Sequence, residues 1–255
     1  LKAFYGTLKG CDQYIKFALL TGVTRFSKVS VFSDLNNLMD ISIDDRFANI
    51  CGITESELYS NCQEEISVLA KKYQTNNEDI KKKLKDWYDG YHFVENGDDL
   101  YNPFSLLNTF AKVKFGNYWF GTGTPTFLVE LLKQSKYELQ NLTCVSASSE
   151  SLGSIDTMYT NPVPVLYQSG YLTIKGYDSE FDIYELGFPN KEVEEGFTKF
   201  ILPYYASLKN ENTAFEISTF VKDVRNGEID LFMARLQSFF ADTPYELVRD
   251  LELHY

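Results

Sequence analysis

The chain has 255 residues, 44% of them apolar and 16% aromatic, with 20 Phe and 18 Tyr. That is enough to bury real cores, much of them built from rings whose polar tips need partners. Its formal charge of −12 opposes stand-alone binding to nucleic acid, because duplex affinity rests on Lys and Arg displacing counterions.

The acidity lies downstream, since residues 1–50 carry six Lys/Arg against five acids. Residues 2–12 place Phe4, Leu8 and Cys11 on one helical face, and 16–20, "KFALL", form a continuous apolar run. A helix feeding such a run predicts a strand buried on both faces of a parallel sheet. A second strand is expected in the apolar stretch that closes 29–43, "VSVFSDLNNLMDISI". Between them "GVTRFSKVS" has the outline of a phosphate-binding loop, G-x-x-x-x-G-K-[ST]. Ser27 stands where the second glycine is required and Val29 where the metal-ligating hydroxyl is required, so that reading is rejected on chemistry. The end of the first strand still presents Thr21, Thr24, Arg25, Ser27 and Lys28. Strand ends of this kind bind ligands in open α/β sheets. From the residues alone, the cluster is either a phosphate sensor or a polar loop capping a strand.

After Gly52 the period becomes 3.6. Thr54 and Glu57 form a capping box ahead of Leu58, Cys62, Ile66, Leu69, Ala70 and Tyr73. Asn76-Asn77 breaks the pattern before a second helix with Ile80, Leu84, Trp87 and Tyr88, whose Lys81–Lys83 run reads as a solvated face. "YDGYHF" supplies an Asp-Gly turn, Asn102 and Pro103 an N-cap and first helical residue, and Thr124-Pro125 the same device again. Residues 141–160 are Ser/Thr-rich and read as a linker. Beyond them, "PVPVLYQSGYLTI" predicts a short helix, a Ser-Gly turn and a strand, "FDIYEL" a second strand, and Asn190 onward a helix carrying Val193, Phe197, Phe200, Ile201 and Tyr204. Helix, hairpin, helix is a winged-helix pattern. That last helix sets two lysines against three glutamates in "NKEVEEGFTKF", which opposes a role on DNA. Thr213 with Glu216 reads as a further capping box, followed by two apolar helical faces, and Pro244 opens a third helix.

No catalytic or metal-ligating set emerges. His92 and His254 lack a neighbouring nucleophile, and His92 reads as a structural group in an aromatic turn. Paired acids such as Asp44-Asp45 and Glu194-Glu195 point in different directions and read as solvated surface. Cys11, Cys51, Cys62 and Cys144 match neither zinc nor secreted-disulfide spacing, and buried thiols in a reducing compartment are expected. No apolar run is long enough to span a membrane, so a cytoplasmic location is expected. The chain opens at Leu1 almost directly in a helical pattern, as a piece of a longer protein would.

Six stretches together carry a family resemblance: "LKAFYGTLKGCDQYIKFALLTGVTRFSKVSVFSDLNNLMDIS", "CGITESEL", "WYDGYHF", "YNPFSLLN", "LYQSGYLTI" and "YELGFPNKEVEEGF". In this order they resemble the bacterial AAA-ATPase-like family whose members carry a C-terminal PD-(D/E)XK nuclease-like domain. The resemblance implies a mixed α/β, mainly helical chain corresponding to the middle of such a protein. Residues 1–50 would be the remnant of a P-loop-type parallel sheet, 51–140 a helical lid, 141–160 a linker, 161–210 a winged-helix-like module, and 211–255 helices leading to the nuclease-like part. The Walker motifs would precede Leu1 and the nuclease motifs would follow Tyr255. Thr21, Thr24 and Arg25 would then sense the γ-phosphate of ATP, held with Mg²⁺ in the intact protein and not by this stretch alone. The fragment itself is expected to be inactive, with nucleic acid reached only through the nuclease-like domain and no membrane. The acidic, aromatic-rich downstream region gives an alternative, a module that docks a protein partner with the ATPase-like core as scaffold.

Overall fold

In the computed structural model the described residues are 7, 10–22, 39, 41–120, 126–135, 137, 145–152, 161–205 and 210–241. The chain divides into two units, Leu1–Glu194 and Glu195–Tyr255.

In the first unit, four helices form a block whose ends are written in the sequence. Helix α1 (Glu55–Asn61) begins where Thr54 Oγ1 accepts the Glu57 N–H at 3.3 Å and Glu57 Oε2 accepts the Thr54 N–H at 2.9 Å, the reciprocal cap expected. Helix α2 (Gln63–Tyr73) stops at Gln74, which turns left-handed with φ 53°. Asn76 opens α3 (Asn77–Tyr88) by accepting the Asp79 N–H at 2.8 Å. Asn102 opens α4 (Pro103–Lys112) by accepting from Ser105 N–H at 3.1 Å; Pro103 at the first turn has no N–H to leave unsatisfied. The apolar positions picked out by the helical period converge: Leu58, Ile66, Leu69, Ile80 and Leu84 are buried in one core with Tyr88, Tyr101 and Leu106. Each such leucine or isoleucine contributes roughly 1.5–3 kcal/mol and each cap about 1 kcal/mol, so packing holds the block and caps set its ends. The lysine run is only partly solvated. Lys82 is exposed, but the Lys81 ammonium lies 4.7 Å from the Tyr59 ring centroid, and that of Lys83 lies 4.5 Å from both the Tyr73 and Phe115 centroids.

Two antiparallel bridges, Tyr91↔Leu100 and Ile53↔Tyr101, tie the segment after α3 back to the entrance of α1. Helix α5 (Thr126–Gln134) follows. The chain then forms strand β1 (Val145–Ser148), the single-turn helix α6 (Ser149–Leu152), helix α7 (Val163–Gln168), strands β2 (Thr173–Asp178) and β3 (Ile183–Gly187), and helix α8 (Lys191–Tyr205), which crosses the boundary into the second unit. The sheet is antiparallel in the order β1-β3-β2, with Val145 opposite Leu186 and Thr173 opposite Gly187. A bulge between Ile174 and Gly176 shifts the β2 register. In the second unit, α9 (Asn210–Arg225) and α10 (Ile229–Ala241) join at Gly227, φ 72°. Phe220 meets Phe232 edge-on at 5.7 Å, and Arg235 Nε bonds Asp223 Oδ2 at 2.6 Å.

The architecture is therefore mixed α/β and mostly helical, and it departs from the sequence reading in several places. The run 16–20 is not a strand: Phe17 is 81% and Leu19 58% exposed on irregular backbone. A continuous apolar run becomes a buried strand only when neighbouring strands flank it, and among the described residues none pairs with it. Ile41, Ser42 and Ile43 form no strand either. The sheet that the described residues do form is antiparallel rather than parallel. The Ser/Thr-rich stretch assigned to a linker supplies β1 and α6, because Val145 and Ala147 alternate with serines, so one face is buried while the strand's edge pairs with β3. Thr213 and Glu216 lie inside α9, which starts at Asn210. Cys51 is exposed and Cys11 and Cys62 are half-buried, all three free; Cys144 lies outside the described residues, as do Thr124, Pro125 and Pro244.

Candidate functional site

Of the residues singled out as phosphate sensors, Thr21 is exposed on irregular backbone, while Thr24 and Arg25, with Ser27 and Lys28, lie outside the described residues. The arrangement of the cluster as a whole thus lies outside the described residues. Among the described residues no three His, Cys, Asp or Glu side chains converge as metal ligands would, and no helix is long and apolar enough to cross a membrane.

The chemically unusual place lies elsewhere in the first unit, where the helical block meets the helix, hairpin and first turn of α8. Three short stretches build it: Tyr88–His92 at the end of α3, Trp119-Phe120 beyond α4, and Pro189–Glu192 at the start of α8. Gly90 takes φ +97°, and a Cβ there would lie 2.3 Å from the Pro189 carbonyl oxygen, so only glycine lets the two backbones approach so closely. Thr173 Oγ1 on β2 accepts the His92 N–H at 2.7 Å and donates to the His92 carbonyl at 2.9 Å. The His92 ring places Nδ1 3.1 Å from Asp99 Oδ1. Trp119 and Phe120 meet Tyr171 edge-on at 5.3 and 5.8 Å. On the block's side, the Tyr88 hydroxyl accepts the Thr109 hydroxyl at 2.7 Å and the Gly116 N–H at 3.0 Å, and donates to the Gly116 carbonyl at 3.1 Å. Burial pushes this phenol up to about 12.

Two acids sit in this seam. Asp89, 4% exposed, follows α3; its Oδ2 is 4.0 Å from Lys85 Nζ and its Oδ1 is buried without a hydrogen-bond partner. Burial raises its carboxyl to about 6, against the pull of the Gly90 N–H and, more weakly, of Lys85, with the Asp99 charge adding to the rise. Lys85 is committed instead to Glu55, at 3.0 Å; that bond, followed by the Tyr59 hydroxyl, holds Glu55 below the ordinary carboxylate range. Glu192 is fully buried. Its Oε1 accepts the Trp119 N–H at 2.8 Å, shared with Ser105 Oγ at 3.2 Å, and its Oε2 has no hydrogen-bond partner. Burial raises this carboxyl, against the pull of the Ser105 hydroxyl and the N–H groups of residues 118–120. Across the Gly90–Pro189 contact, Lys175 Nζ donates to the Pro189 carbonyl at 3.2 Å, and packing around the ammonium lowers its pKa.

No family model matches the chain. It is 37% identical over 208 residues to an uncharacterized protein in the vnfD 5′ region of Azotobacter chroococcum mcd 1. That match covers 80% of this chain but 38% of the relative's length, so the chain spans well under half of the curated relative it matches. No solved structure matches.

Sequence reasoning missed both acids as special, reading Asp89 as a turn residue and Glu192 only as one of three glutamates in an acidic helix. The local signal for Glu192 was its place in the first turn after Asn190, whose Oδ1 caps the Val193 N–H at 3.2 Å. An acid is favoured there whether it is wet or buried, and burial could not be read from that position.

Proposed function

We propose that this chain is a non-catalytic segment of an ATP-binding protein of the AAA-ATPase-like kind with a PD-(D/E)XK nuclease-like domain. In this reading, α1–α5 correspond to the lid and α7 to α8, with their hairpin, to a winged-helix-like module. One observation supports it. Four of the stretches that carry the family resemblance, scattered from Trp87 to Phe197, contribute to a single seam: Tyr88 to His92 from the first, Ser105 from the second, Tyr171 and Thr173 from the third, and Pro189 to Glu192 from the fourth. Residues far apart in sequence thus serve one joint between lid and module, as expected of parts that move together when a nucleotide is held elsewhere in the protein. Thr21, Thr24 and Arg25 keep the role of γ-phosphate sensors in this proposal, with ATP and Mg²⁺ held by other polypeptide of the longer protein.

Calorimetry with ATP and Mg²⁺ separates the parts of the proposal. The 255-residue chain is expected to show no sub-millimolar binding, whereas the full-length Azotobacter relative is expected to bind. Sub-millimolar binding by this chain that vanishes in Arg25→Ala overturns the non-catalytic reading, and a full-length relative that ignores ATP overturns the family's role. A second reading, docking of a protein partner through residues 161–210, is favoured by the acidic charge of the chain and by Phe181, 65% exposed at the hairpin tip. Recovery of one stoichiometric partner that depends on this stretch supports it. Gel shifts at low salt are expected to be negative for this chain, as its charge dictates.

A further inference from the structure

We infer that Glu192 is a proton-dependent latch: neutral, it holds the loop at Trp119 against the first turn of α8, and ionised, it lets that joint open. The inference does not depend on the chain's relation to an ATPase. It stands first on geometry. Glu192 is fully buried, one of its oxygens is bonded to the Trp119 N–H, and the other has no partner. The groups that face it from each neighbouring element are uncharged near neutrality: Tyr88 on α3, Tyr91 in the bridge, Ser105 on α4 and Tyr118 in the loop. Among the described residues no cation forms an ion pair with it; the adjacent Lys191 points its ammonium at the Trp87 ring, 5.6 Å from the centroid. A buried carboxylate with no counter-ion is expensive, whereas the neutral acid is far less so.

The contacts decide what opening releases. Glu192 and the Trp119 N–H join the helical block to α8 beside the Trp119 and Phe120 packing on Tyr171. The Ser105 hydroxyl and the N–H groups of residues 118–120 favour the anion, but burial without a counter-ion outweighs them, so a charge left by the proton is better solvated when the loop separates from α8. Burial raises the proton affinity of the folded state above that of the unfolded chain, so the joint's stability is full at low pH and falls as pH rises through the folded-state value.

Hydrogen–deuterium exchange from about pD 4 to 8.5, corrected for intrinsic rates, tests this on peptides covering 115–120 and 191–194, a range that starts below the ordinary glutamate value. The background is Asp89→Asn throughout, so that the other seam acid does not titrate. Protection with Glu192 present is expected to fall as pH rises, and Glu192→Gln is expected to abolish the trend. Ser105→Ala, which removes a hydroxyl that favours the anion, is expected to move the midpoint to higher pH and provides a second test should the glutamine variant fail to fold. Flat protection with Glu192 present, the same slope in Glu192→Gln, or an unmoved midpoint in Ser105→Ala overturns the inference.

Discussion

Replacing Asp89 by Asn is expected to stabilise the first unit near neutral pH and to leave it unchanged in acid. The carboxyl is 4% exposed, Lys85 is 4.0 Å away and shared with Glu55, and Oδ1 has no partner. Its folded-state value of about 6, against 3.8 in the unfolded chain, means that the native protein binds the proton more tightly. Stability is therefore full below about pH 4 and declines as pH rises through 6. A displacement of about two units at 1.36 kcal/mol each gives a loss of about 2–3 kcal/mol by pH 7.5. An Asn of nearly the same shape escapes that loss. Both tryptophans of the chain, Trp87 and Trp119, lie in this unit, so their fluorescence during urea titration reports on it alone. The difference between variant and wild type is expected to be near zero at pH 4 and to grow to about 2–3 kcal/mol in favour of Asn at pH 7.5. A variant equal to or less stable than wild type at pH 7.5 refutes the account of Asp89 as an underpaired buried acid.

Three further outcomes follow from named contacts. Gly90→Ala combines an unfavourable φ with a 2.3 Å clash against the Pro189 carbonyl and is expected to cost at least about 3 kcal/mol by tryptophan fluorescence; Gly227→Ala, whose φ is +72° with open space around it, is expected to cost only about 1–2 kcal/mol by circular dichroism. Tyr88→Phe leaves the Gly116 N–H and carbonyl without the phenol they share and is expected to cost about 2 kcal/mol in urea. Thr54→Ala removes the cap of α1 and is expected to cost about 1 kcal/mol, with amide exchange rising at the first turn of α1.

What the sequence determined on its own was local. The caps at Thr54 and Asn102, the break at Asn76, the apolar stripe through Leu58, Ile66, Ile80 and Leu84, and the hairpin after Gly170 follow from hydrogen bonds and side-chain periods spanning a few residues, so each was legible without knowing the rest. Tertiary structure decided whatever depends on neighbours from distant sequence. The run 16–20 is apolar enough for a doubly buried strand, but no described strand flanks it, and Phe17 and Leu19 stand in solvent. Val145–Ser148 reads as a linker until β3 offers its edge. Asp89 and Glu192 look like ordinary wet acids, because a carboxyl's proton affinity is set by what surrounds it, and those surroundings come from three segments more than a hundred positions apart at their extremes.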